Sequence, residues 1–146
     1  MESNSTPDTK VFVVLSRTQT KIWKGSFESG TTPLSFEEDF VSRDYKKVIN
    51  QYFSGRNRSK LDPKFAERVA HELVGFHRIY LAGGGKGKSS AIHNLASFLM
   101  SHHPAEAKNI RCIEDMDASH MSDNELLAAA RKFENADLLR VKPGQA

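Results

Sequence analysis

The chain has 146 residues, of which 38% are hydrophobic and 27% charged; this is the make-up of one ordinary globular domain and excludes a wholly disordered or membrane-embedded chain. Its formal charge of +3 permits an anionic partner such as RNA without demanding one, and its one cysteine, Cys112, excludes an internal disulfide. With no N-terminal signal pattern and no long apolar run ahead of the first strand, the expected setting is reducing and cytoplasmic, without a membrane partner. The oligomeric state stays open.

Residues 1–9 are polar and read as a loose leader. Val11, Phe12, Val13, Val14 and Leu15 form an unbroken run of strand formers, the pattern of a central strand covered on both faces. After a polar connection, residues 21–27 predict a second strand that closes a hairpin on the first, with Lys21 and Lys24 giving it edge character. A Ser-Gly-Thr-Thr-Pro turn at 29–33 leads to a third strand carrying Leu34, Phe36, Phe40 and Val41.

The stretch 43–60 holds Arg43, Lys46, Lys47, Arg56, Arg58 and Lys60 against Asp44 alone. Tyr45, Tyr52 and Phe53 are interleaved with them, a mixture that can hold phosphate while stacking bases. The near-helical spacing of Val48, Ile49, Tyr52 and Phe53 equally suits an amphipathic segment with its aromatics in the core.

Asp62-Pro63 is a helix start, since Asp caps free amides and Pro belongs at the first helical position. Phe65, Ala66, Val69, Ala70, Leu73 and Val74 then share one face, and Gly75 ends the helix. Residues 79–82 (Ile-Tyr-Leu-Ala) predict a short strand. A second helix follows with Ile92, Leu95, Ala96, Leu99 and Met100 inward and Pro104 at or after its end. Ile110, Cys112 and Ile113 make a fifth strand. Ser122 and Glu125 form a capping box before Leu126, Leu127, Ala130 and Phe133, and residues 136–146 read as a loose tail. The order β-β-β-α-β-α-β-α predicts one α/β domain over 10–135. Its single mixed five-stranded sheet has antiparallel opening strands and parallel strands wherever a helix intervenes.

The most informative motif lies between the fourth strand and the helix after it: Gly83, Gly84, Gly85, Lys86, Gly87, Lys88 and Ser89. It fits the loose form of a phosphate loop, in which glycines let backbone amides approach an anion and the following helix supplies unpaired amides. The same glycines also suit a tight strand-to-helix turn with solvated lysines. Triphosphate hydrolysis is disfavoured, because the loop follows the fourth strand rather than the first. The acids Glu114, Asp115 and Asp117 read as a solvated turn rather than a magnesium site.

Other constellations are weaker. Ser89 and His93 are four apart on one predicted helix, but no third group for a catalytic set is evident. His102 and His103 sit at a helix end without a metal-ligand set around them. Cys112, in an apolar stretch, reads as a buried structural thiol.

The run IYLAGGGKGKSSAIHNLASFLMSHHP, with the strand, acidic turn and DNELLAAARKF after it, resembles the central domain of eukaryotic and archaeal peptide-chain release factors and their bacterial relatives. Those relatives include the host-attachment-protein-like family. The resemblance covers residues 11–133 and implies a ribonuclease H-like, translational-machinery-component fold. It does not carry peptide release over, because the Gly-Gly-Gln tripeptide expected between the third strand and the first helix is missing and residues 42–61 hold only Gly55. Nor does it carry ribonuclease H-type cleavage, which needs an acid on the first strand.

The expected function is therefore a noncatalytic RNA- or ribosome-contacting domain without cofactor or metal. It would touch phosphate through residues 83–89 and the basic residues of 43–60. The alternatives are a phosphate-loop-like nucleotide binder, with Lys88 on phosphate and Ser89 on magnesium, or a protein-interaction domain whose lysine loop is incidental.

Overall fold

In the computed structural model, which describes residues 9–16, 19–36, 63–83 and 91–140, the strands are β1 (Lys10–Leu15), β2 (Thr20–Lys24), β3 (Leu34–Phe36), β4 (Arg78–Gly83) and β5 (Ile110–Glu114). The helices are α1 (Pro63–Glu72), α2 (Ala91–His102), the short α3 (Pro104–Ala107) and α4 (Asp123–Arg140), with a 3-10 turn at Ala118–His120. The strands form one sheet in the order β3-β2-β1-β4-β5. β2 runs antiparallel to β1 and β3, while β4 runs parallel to β1 and β5. This is the α/β class, element order and mixed sheet that the sequence predicts.

Side-chain alternation along the central strands divides the core into two layers. Val11, Val13, Leu15, Ile79 and Leu81 meet Phe65, Val69 and Leu73 of the α1 segment and Ile92, Leu95 and Leu99 of α2. On the other face Phe12, Val14, Trp23, Tyr80 and Ala82 meet Leu126, Leu127 and Ala130 of α4. β1 and β4 are thus covered on both sides, which is why they read as continuous apolar runs rather than alternating ones. Aromatic contacts thicken the second layer, with Phe12 stacked on Trp23 at 5.9 Å and Phe27 set edge-on to Tyr80 at 5.9 Å.

Several details depart from the sequence expectation. β2 is paired on both sides, and its lysines reach carboxylates instead of marking an edge: Lys21 bonds Asp123 and Lys24 bonds Glu72. Val74 is 61% exposed, because α1 ends at Glu72 and the chain turns through Gly75 at φ +90°. Met100 is 56% exposed, because Ile92, Leu95, Ala96 and Leu99 already complete the inward stripe. Pro104 opens α3. Phe40 and Val41, expected on the third strand, lie outside the described residues.

Both ends of the expected domain are tied down further than the composition suggests. The Thr9 carbonyl accepts the amides of His77 and Arg78 at 3.1 and 3.0 Å, so Thr9 belongs to the sheet's edge rather than to a leader. α4 continues to Arg140, five residues into the stretch expected to be a loose tail. What holds it is polar. Tyr80, fully buried, donates its hydroxyl proton to Asp137 Oδ2 at 2.8 Å, and Arg78 donates to Tyr80 Oη and Glu134 Oε2, both at 3.0 Å. Lys10 donates to both oxygens of Glu134, and Arg140 donates to Asp137 Oδ1 and the Arg111 carbonyl.

Candidate functional site at the carboxyl edge of the sheet

β1, β4 and β5 all end at one edge of the sheet, and β2 begins there. Leu15 pairs with Thr20 and with Gly83, Thr20 pairs with Phe36, and Ala82 pairs with Glu114. From this edge the chain leaves β1 toward β2 on one side and leaves β4 toward α2 and β5 on the other. Neighbouring parallel strands whose exits diverge leave a crevice beyond their carboxyl ends, the usual ligand position in open α/β sheets.

Gly83 closes β4 at that point. Its φ is +102°, and a Cβ there would lie 2.1 Å from the Leu15 carbonyl oxygen. Only glycine allows β4 to finish flush against β1 and turn away. Thr20, in the same row, is fully buried, and its hydroxyl finds no hydrogen-bond partner among the described residues, at a cost of about 1–3 kcal/mol.

The first turns of both covering helices face this edge. His93 in the first turn of α2 pairs with Asp115, just beyond β5, at 3.1 Å. At the far end of α1, Glu72 pairs with Lys24, which lies opposite Val11 at the start of β1. α1 has ten residues and rises about 15 Å, so Pro63 lies toward the carboxyl edge.

Of the residues expected from sequence to contact phosphate or RNA, Gly83 alone is described. Gly84, Gly85, Lys86, Gly87, Lys88 and Ser89 lie outside the described residues, as do Arg43, Lys46, Lys47, Arg56, Arg58 and Lys60. The structure places their attachment points. Residues 84–90 join Gly83 to Ala91, and residues 37–62 join Phe36 to Pro63. All four anchors lie at or toward the carboxyl edge. The described residues contain eleven Lys and Arg and eleven Asp and Glu, so of the chain's 21 basic and 18 acidic residues ten and seven remain elsewhere. The described scaffold is neutral by formal count, and the whole excess of +3 belongs to the other residues.

On the α4 side of this edge is a pocket of about 60 Å³ lined by Ser16, Gln19, Lys21, Ser119, Met121 and Leu126. Ser16 donates its hydroxyl proton to the Gln19 carbonyl at 3.0 Å, and Ser119 donates its own to Asp117. Lys21 is held by Asp123 at 2.5 Å, and Ser122 and Glu125 close the predicted capping box at the start of α4. Neither the pocket nor the His93–Asp115 pair is visible in the sequence. Their members come from β2 and the residues flanking it, from α2 and α4 and from the segment after β5, with no local spacing to connect them.

The Cys112 thiol and the Tyr80 phenol are both held in their neutral forms. Burial, reinforced by Glu114, pushes the Cys112 thiol up to about 12, which suppresses the thiolate a nucleophile needs. Burial, with the acceptor Asp137 beside it, raises the Tyr80 phenol well above its ordinary range. β1 and β4 carry no acidic residue. Among the described residues no three His, Cys, Asp or Glu side chains group closely enough to hold a metal ion, and no helix is long and apolar enough to cross a membrane.

No family model matches the chain, and no curated protein matches it. Among solved structures it is similar to Archaeoglobus fulgidus Pelota, at 16% identity and a TM-score of 0.46 over 90% of this chain and 37% of that one. It is also similar to the archaeal translation termination factor aRF1, at 16% identity and a TM-score of 0.42 over 91% of this chain and 41% of that one. The chain therefore spans less than half the length of either protein.

Proposed function

We propose that this domain is a noncatalytic RNA-contacting module that holds phosphate along the carboxyl edge of its sheet. The observation that carries the reading is the shared anchoring of the two basic segments. Residues 37–62, which contain Arg43, Lys46, Lys47, Arg56, Arg58 and Lys60, and residues 84–90, which contain Lys86 and Lys88, attach to one edge of an otherwise charge-balanced scaffold. Two such segments can act on one polyanion, whereas opposite edges would present them to different partners. A translation setting, on the ribosome or a transfer RNA, is proposed from the sequence resemblance to release-factor central domains.

The test is a salt titration of binding to transfer RNA and to purified ribosomes. Log affinity is expected to fall linearly with log salt. Charge reversal at Lys86 and Lys88 together with Arg56, Arg58 and Lys60 is expected to abolish binding without lowering the unfolding midpoint. Wild-type protein that binds neither transfer RNA nor ribosomes, or a charge-reversed variant that binds as well as wild type, would sink the proposal.

A further inference from the structure

We infer that the last turn of α4 is a strap over the outer edge of β5, and that once this strap is released β5 pairs with β5 of a second copy of the chain. An edge strand carries a row of backbone groups that can template another strand. Among the described residues the sheet ends at β3, three residues long, and at β5, five residues long. β5 is the longer of the two, and its strand formers Ile110 and Ile113 are half-buried.

Register marks where the strap takes hold. Ile79 pairs with Ile110 and the next residue of β4, Tyr80, pairs with Cys112, so Arg111 is an extra residue with no Cα partner on β4. A bulge leaves its extra residue unpaired in the ladder. The Arg111 carbonyl accepts a hydrogen bond from the Arg140 guanidinium at 3.2 Å. Arg140 also donates to Asp137 at 3.1 Å, Arg111 Nε lies 3.9 Å from Asp137, and Asp137 accepts from Tyr80 of β4 at 2.8 Å. The middle of β5 is thereby fastened to α4 at the residue that the neighbouring strand leaves out.

The fastening is polar and shallow. Leu138 and Leu139 of the same turn are 49% and 72% exposed, and the Arg140 side chain is 65% exposed. Segments with so little apolar burial open locally at far less cost than global unfolding. Charge names the occupant of the opened edge. β5 carries its basic residue, Arg111, toward its start and its acidic residue, Glu114, at its end, both exposed. Antiparallel pairing of two β5 strands across a two-fold axis brings each of these toward its opposite in the other copy, so one patch serves both chains.

The experiment is sedimentation velocity of the full chain over a concentration series, for wild type, Arg140→Met and Arg140→Lys. Methionine keeps the length and helix propensity of the side chain without its donors, whereas lysine keeps a donor for the Arg111 carbonyl. Wild type and Arg140→Lys are expected to stay at the mass of one chain, and Arg140→Met to rise toward about twice that mass with concentration. Hydrogen exchange at the backbone amides of residues 110–114 should slow in the associated Arg140→Met. A wild type that already pairs, an Arg140→Met that stays at the mass of one chain, or one that associates without added protection at residues 110–114 overturns the strap. So does equal association of Arg140→Met and Arg140→Lys. An Arg140→Met that unfolds assigns Arg140 to folding alone and overturns it as well.

Discussion

Gly83 is the residue on which the candidate edge most directly depends. Its left-handed φ and the approach of β4 to the Leu15 carbonyl leave no room for a side chain, and a backbone oxygen cannot swing aside as a flexible side-chain end can. Gly83→Ala is therefore expected to lower stability by about 2–3 kcal/mol, combining the strain of an unfavourable φ with displacement of the strand end. Urea unfolding would measure it, and an unchanged midpoint would show that β4 does not end as described. Cys112 makes a different demand. Its folded pKa of about 12 lies above the roughly 8.5 of an unfolded thiol, so above pH 9 the unfolded chain releases a proton that the folded chain keeps. Stability is then full below the unfolded value and falls as pH rises, by at most about 1.4 kcal/mol per pH unit for this group. Urea midpoints should drop between pH 9 and 10 in wild type, and less so in Cys112→Ala; parallel declines would remove the thiol as the cause.

At the scale of elements, α4 separates what the sequence specifies from what it conceals. Its start was legible, because Ser122 and Glu125 bond reciprocally as a capping box does and Leu126, Leu127 and Ala130 are the residues that go inside. Its end was not. The last turns are held by Asp137 against Tyr80 and by Arg140 against the Arg111 carbonyl, partners 57 and 29 residues away, while the local apolar residues Leu138 and Leu139 stay exposed, so a window sliding along the chain finds no inward stripe that reaches this far. The central strands and inward helical faces were readable for the opposite reason, since burial on two faces writes itself locally into Val11 to Leu15 and into the 3.6-residue stripe of α2. For the site, the glycine and lysine composition of 83–89 was plain. That its anchors share an edge with those of 37–62 depends on strand order, which no local pattern encodes. A chain ended at Asn135 therefore loses the buried acceptor of Tyr80 and the outer partner of the Arg111 carbonyl. Relative to a chain ended at Arg140 it should be less stable by about 2–4 kcal/mol. Equal thermal midpoints would mean that the last turn of α4 holds nothing.

For the molecule as a whole, the division of charge makes stability and binding separable. Ion pairs of the scaffold, such as Lys10 and Arg78 with Glu134, join α4 to the starts of β1 and β4, at the edge opposite the anchors of the basic segments. Replacing Glu134 with Gln removes the carboxylate that Arg78, 8% exposed, shares with Lys10. It should cost about 1–3 kcal/mol of folding stability while leaving the salt dependence of RNA binding untouched. Substituting Gln at Arg43, Lys46, Lys47, Arg56, Arg58 and Lys60 should do the reverse. For a single-stranded RNA each lost phosphate contact lowers the slope of log affinity against log salt by about 0.7, so loss of all six contacts would lower it by about 4. Replacing Lys86 and Lys88 alone should lower it by about 1.4 on the same scale. If the two segments grip one RNA from their common edge, the combined variant should lose the sum of both decrements at an unchanged stoichiometry of one RNA per chain. If each segment binds its own RNA, wild type will take up two per chain, and removing either segment will delete one binding event while the slope of the other stays whole.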